Sequence, residues 1–138
     1  MAESSIRIAC VDDEPSVLES LKMILKIKDY EVDTYPNGSA AIAGFQKKKY
    51  DIAFVDMILP MEEGKTEKTG GIQVLKKIKE ISPETEVVIV TAYASESTHA
   101  DAIKLGALEY LRKPFLMDEI YELVDRGLRR RMAKAKGA

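Results

Sequence analysis

The chain has 138 residues, enough for one domain with a buried core and too few for two ordinary ones. Lys and Arg number 21 against 23 Asp and Glu, a net charge of -2, which excludes a polycation built to hold nucleic acid backbone. A single Cys rules out an internal disulfide and points to a reducing, cytoplasmic setting; with one His it leaves too few soft ligands for a structural zinc. In chain order, the mostly apolar run Ile6 to Val11 predicts a first strand that stops at Asp12-Asp13-Glu14-Pro15. Val17, Leu18, Leu21, Ile24 and Leu25 then form the apolar stripe of a helix, with Pro15 where a first turn tolerates it. Glu31 to Tyr35 is a weaker strand and Ser39 to Lys48 a second helix. Ile52 to Val55 is a third strand, ending in Asp56. A long connection from Asp56 to Gly71 holds Pro60, Gly64, Gly70 and Gly71, and precedes a helix over Ile72 to Ile81. Val87 to Val90 is a fourth strand ending in Thr91, followed by a helix from Ser95 to Leu105. Leu108 to Leu111 is the fifth strand, with Lys113-Pro114 just beyond it, and Leu116 to about Met132 is the last helix.

Strand and helix thus alternate five times. That order implies parallel strands joined by crossover helices, a sheet covered on both faces, and strands that read as near-continuous apolar runs. In such sheets the ligand site lies beyond the carboxyl ends of the strands. The expectation is therefore that Asp12, Asp13, Asp56, Thr91 and Lys113 converge on one edge. Each has an ordinary structural explanation by itself: Asp-Asp-Glu-Pro is a good helix start, and Lys113-Pro114 a turn. It is their shared position at strand ends that points to chemistry. Three clustered carboxylates repel, and a hard cation such as Mg²⁺, which prefers oxygen ligands, relieves that repulsion.

The segments Val11 to Pro15, Val55 to Pro60, Thr91-Ala92 and Lys113-Pro114-Phe115 resemble the receiver domain of two-component response regulators, over about Ile6 to Leu128. The resemblance implies a doubly wound (βα)5 flavodoxin-like fold, its five-stranded parallel sheet in the order 2-1-3-4-5 with helices on both faces. It implies that Asp56 accepts a phosphoryl group from the phosphohistidine of a sensor histidine kinase or phosphotransfer protein, with Mg²⁺ as cofactor. On the same basis Asp13, Asp56 and the backbone carbonyl of Ile58 would ligate Mg²⁺, with Asp12 acting through a water. Thr91 and Lys113 would engage the phosphoryl oxygens, Tyr110 would be the rotating switch aromatic, and the Lys113–Pro114 peptide would be cis. The surface formed by Ala94 to Leu105, Leu108 to Tyr110 and Leu116 to Leu128 would change on phosphorylation, meeting a downstream protein target or a second copy in a homodimer.

The chain departs from the family's usual form in delaying the helix after Asp56 by about seven residues, Lys65 to Gly71, either as a tolerated insertion or as a determinant of partner choice. Ile58 and Tyr93, two residues beyond Asp56 and Thr91, are neither acids nor amides, so a long-lived phosphoaspartate is expected. Two other classes compete. A haloacid-dehalogenase-like phosphatase needs a second acid two residues after its nucleophile, where Ile58 stands, so turnover of external substrates as an enzyme is not expected. A flavodoxin-like electron carrier needs a hydroxyl- and glycine-rich loop after the first strand, where Asp12-Asp13-Glu14 would repel a phosphate. His99 reads as a solvated surface residue and Cys10 as core.

Charge divides the chain unevenly. Arg126, Arg129, Arg130, Arg131, Lys134 and Lys136 occur with no acid between Arg126 and Ala138, leaving a net of -8 over residues 1–125. The expected organisation is a receiver over residues 5–128 and a basic tail over 129–138, either a solvated helix end or the start of a linker to a DNA-binding or ATPase output. A stand-alone, partner-acting switch is the favoured reading, with no direct nucleic acid contact from this domain. No apolar run approaches the ~18–20 residues of a membrane span, so no membrane role is expected.

Overall fold

A computed structural model describes residues 5–62, 69–93 and 95–137. Of the expected long connection, Glu63 to Lys68 lie outside the described residues, as does Ala94 of the expected switch surface. The elements run β1 (Arg7–Val11), α1 (Pro15–Lys26), β2 (Glu31–Tyr35), α2 (Gly38–Lys47), β3 (Ile52–Asp56), α3 (Gly70–Ile81), β4 (Glu86–Thr91), α4 (Glu96–Lys104), β5 (Glu109–Arg112) and α5 (Met117–Gly137). The five strands are parallel, in the order β2-β1-β3-β4-β5. Alternation implied the parallel sheet with helices on both faces; the doubly wound strand order is the one that the resemblance implied.

The two-residue period of the strands sorts the core into two layers. Ala9, Val11, Ala53, Val55, Val87 and Ile89 face α2, α3 and α4, where Ala41, Phe45, Val74, Leu75, Ile78 and Ala102 meet them. Ile8, Cys10, Ile52, Phe54, Val88 and Val90 face the other way, onto Leu21 and Leu25 of α1 and Ile120, Leu123 and Val124 of α5. Each large aliphatic so buried contributes about 1.5–3 kcal/mol, so the central strands are the most strongly held part of the molecule.

Helix starts follow their local chemistry. Asn37 accepts from the Ala40 N–H at 2.9 Å to begin α2, and Ser95 accepts from the Thr98 N–H at 3.2 Å to begin α4. For α1 Pro15 stands in the first turn, while Asp12, outside the helix, accepts from the Glu14 N–H at 2.9 Å. Helix α3 begins at Gly70, two residues before the apolar period suggested, and the last helix continues through Gly137. The 128/129 boundary therefore falls inside α5, whose basic residues return to the sheet. Arg130 and Lys134, one turn apart, approach the Glu86 carboxylate at 3.3 and 3.2 Å, and Arg131 pairs with Asp51. Glu86, the first residue of β4, is fully buried; Lys79 of α3 stands 4.0 Å from its Oε1, which makes no hydrogen bond.

Candidate functional site

Strand register brings the polar strand ends to one edge. Asp12 follows β1 and donates its N–H to the Tyr35 carbonyl at 3.1 Å, Asp56 closes β3 opposite Val90, and Thr91 closes β4 opposite Arg112. The Lys113 N–H donates to the Thr91 carbonyl at 2.7 Å, and the Lys113–Pro114 bond is cis. The result is an open cavity of about 210 Å³ whose lining includes Asp13, Asp56, Ile58, Thr91, Tyr93 and Lys113. Asp12, Asp13 and Asp56 each offer a carboxylate oxygen within 4.8 Å of the others. Asp12 and Asp56 are buried, whereas Asp13 is exposed.

Lys113 is the counterion. Its side chain is 14% exposed, and its ammonium lies 2.8 Å from Asp12 Oδ2, 3.4 Å from Asp56 Oδ2 and 3.4 Å from Glu14 Oε1. Burial alone would pull its pKa down, but the hydrogen bond to Asp12 and the charges of Asp12 and Asp56 hold it above the ordinary lysine range. Asp56 shows the opposite balance. Burial, then repulsion from Asp12, pushes its carboxyl up to about 7, against the smaller opposing effects of Lys113 and the Ile58 N–H. Asp12 is also raised, by burial ahead of its contacts. The cluster is thus short of positive charge: one ammonium serves two buried carboxylates and reaches a third acid.

The structure brings together Asp12, Asp13, Asp56, Ile58, Thr91 and Lys113. Thr91 Oγ1 accepts from the Tyr93 N–H at 3.0 Å. Tyr110 stands apart from the carboxylates, half-buried on β5, with its hydroxyl 2.7 Å from that of Thr98 on α4. His99, expected as merely solvated, is half-exposed but stacks on the Tyr110 ring. Glu14, read only as part of a helix start, also reaches Lys113, a contact that no signal local to Glu14 announces. Sequence reasoning passed over the Gly70-Gly71 pair. Both glycines are buried, and a Cβ at Gly71 would overlap the Asp56 carbonyl while one at Gly70 would overlap that of Leu59. They let α3 pack directly behind the acidic loop, a role that two adjacent glycines at a helix start could have suggested.

Residues 8–125 match the family model described as the response regulator receiver domain. Among curated proteins the chain is 31% identical over 115 residues to the transcriptional regulatory protein DltR of Streptococcus agalactiae, covering 83% of this chain and 48% of that one. It is 32% identical over 122 residues to the regulatory protein AtoC of Escherichia coli, covering 88% of this chain and 25% of that one. Among solved structures, a CheY-like response regulator receiver domain protein from Methanospirillum hungatei superposes with a TM-score of 0.85 at 27% identity, covering 95% of this chain and 99% of that one. The chain therefore spans about half the length of the first of these relatives and a quarter of the second.

Proposed function

The chain belongs to the response regulator receiver domains of two-component systems, and from that premise we propose that Asp56 is its phosphoacceptor. An Asp56 carboxylate oxygen attacks the phosphorus of a phosphohistidine, on a sensor histidine kinase or a phosphotransfer protein. The N–P bond breaks, the imidazole leaves, and an acyl phosphate forms on Asp56. The supporting observation is the placement of the Asp56 carboxylate in an open cavity at the sheet's carboxyl edge, beside the Lys113 ammonium. Such transfer depends on in-line placement and on neutralising the transferring oxygens, so an immobilised ammonium at this distance suits it.

The donor set fits Mg²⁺. Three hard carboxylates lie within one ion's reach, two of them buried and sharing one ammonium, and Asp13 leaves an open side on which a hard cation keeps its waters. Asp13, Asp56 and the Ile58 carbonyl would hold the ion, with Asp12 acting through a water; when bound it would supply charge neutralisation and keep Asp56 ionised. Thr91, now held by the Tyr93 N–H, would turn its hydroxyl to a phosphoryl oxygen, and Lys113 would pair with another. Tyr110 would follow Thr91 and alter the α4–β5–α5 face, where a downstream protein or a second copy docks. We place the activity in the cytoplasm, in keeping with the single, buried Cys10. Among the described residues no helix is long and apolar enough to cross a membrane.

Incubation with Mg²⁺ and acetyl phosphate should give one phosphoryl adduct by intact mass, absent with a chelator and absent in Asp56→Asn. An adduct that survives Asp56→Asn would overturn the assignment. Ile58 and Tyr93, which line the cavity without an acid or amide to orient water, predict slow hydrolysis. The lifetime of the phosphorylated chain measures this, and rapid loss that slows when Tyr93 is replaced would contradict it. A second reading rests on relative length: in relatives of which this chain covers 48% or 25%, it corresponds to the receiver part of a larger transcriptional regulator.

A further inference from the structure

We propose that Thr98 is a positioning residue for the switch: its hydroxyl latches Tyr110 to the start of α4 and opposes the capture of a phosphoryl group at Asp56. This rests on the receiver reading above and concerns a regulation of that site that the acceptor chemistry does not require.

Thr98 stands half-buried in the first turn of α4, and its hydroxyl oxygen has three neighbours. These are the Ser95 carbonyl at 3.2 Å, the Ser95 hydroxyl at 2.8 Å and the Tyr110 hydroxyl at 2.7 Å. A threonine hydroxyl has one proton to give and two lone pairs to accept with. With the proton given to the Ser95 carbonyl, the lone pairs accept from Ser95 and from Tyr110, and every partner is used once. Ser95 in turn accepts from the Thr98 N–H at 3.2 Å, so the cap of α4 holds the acceptor in place for Tyr110. Ala102, in the second half of α4, is its buried residue among those described. The first turn is tied to β5 instead by polar and ring contacts, of which the Thr98–Tyr110 bond is the shortest.

The two arrangements of the ring differ at this bond. Tyr110 pairs with Ile89 of β4, and Ile89 and Thr91 point to the same face of the sheet, the one that α4 covers. Space that Thr91 leaves as it turns to a phosphoryl oxygen therefore opens beside the Tyr110 ring. Turning into it takes the hydroxyl away from Thr98. It also takes the ring off the His99 imidazole, on which it stacks at 5.4 Å between centroids and 20° between planes. The Tyr110 N–H, which donates to Glu109 Oε2 at 3.0 Å, and the approach of His99 to Glu109 do not involve the ring. Those contacts persist in both arrangements and favour neither. A bond made in one arrangement alone shifts the balance toward it, and a ligand that needs the other arrangement loses affinity by the same factor.

The test is the affinity for beryllium trifluoride with Mg²⁺, an acyl-phosphate mimic, read from the fluorine resonance of the bound ion. It is measured in the wild type, Thr98→Val and Thr98→Ser, and in Tyr110→Phe with and without Thr98→Val. From the net contribution of one hydrogen bond, Thr98→Val should bind about two- to tenfold more tightly than the wild type. Thr98→Ser, which keeps the hydroxyl, should bind as the wild type does. In Tyr110→Phe, which has no hydroxyl to donate, Thr98→Val should change nothing. Equal or weaker binding by Thr98→Val overturns the inference, as does equal tightening in Thr98→Ser. The same tightening in Tyr110→Phe overturns it too, because the effect would then lie in the α4 cap and not in the bond. Thr98→Ala, a better helix former that also lacks the hydroxyl, decides by the same criteria if Thr98→Val does not fold. If the wild type itself does not bind beryllium trifluoride, the receiver reading fails and carries this inference with it.

Discussion

Asp56 carries a pH signature that the metal-free protein should display. Its folded-state pKa of about 7 lies above the ordinary carboxyl range, so the folded chain retains a proton that the unfolded chain has released. The stability this provides is fully present below about pH 4 and is lost as pH rises through about 7. Asp12 is shifted in the same direction and adds to the trend. In chelator, urea unfolding of the wild type should therefore show stability declining from pH 5 to pH 8, while Asp56→Asn flattens the decline and is more stable at pH 8 by about 1–2 kcal/mol. Added Mg²⁺ should restore wild-type stability, by about 1.4 kcal/mol at ten times its Kd, and the response should be lost in Asp13→Asn. The identities of Asp12, Asp13, Asp56, Thr91 and Lys113 were legible as strand-end residues. The pairing of Glu14 with Lys113, 99 positions away, was not, because nothing local to Glu14 records where β5 ends.

At the scale of elements, two helices are fitted to the sheet by features that periodicity does not register. Gly70 and Gly71 start α3 against the backbone of the loop that carries Asp56. Gly71→Ala should force that loop outward, costing about 1–3 kcal/mol in an unfolding titration and slowing phosphorylation from acetyl phosphate. Helix α5 is anchored at the opposite end of the sheet, where Arg130, Lys134 and Lys79 surround the buried Glu86. Glu86→Ala removes their shared acceptor, but Arg130 and Lys134, 38% and 49% exposed, can turn to water, so it should cost about 1–3 kcal/mol and raise hydrogen exchange over residues 126–134. Unchanged exchange there would refute the anchoring role. The basic run thus has a structural use along its described part. The i, i+4 spacing of Arg130 and Lys134 was visible in the sequence, but the acid they cover was hidden as the first residue of an apolar strand.

For the whole molecule, the near-neutral net charge conceals a division of labour between the two ends of one sheet. Acids gather at the carboxyl edge around Lys113, and the bases of α5 gather at the amino edge around Glu86 and Asp51. The fold class and the strand order followed from alternation and from the resemblance, since buried parallel strands must be apolar and their crossovers helical. The sequence by itself also determined which residues end each strand, because a polar residue closing an apolar run is a local event. What tertiary structure alone decided were the meetings across long separations: Lys113 set between Asp12 and Asp56, His99 and Glu109 gathered around Tyr110, glycines of α3 against the Asp56 loop, and α5 on Glu86. Those depend on register and on the approach of packed layers, which arise from the simultaneous fit of many side chains and leave no mark within a short window of sequence.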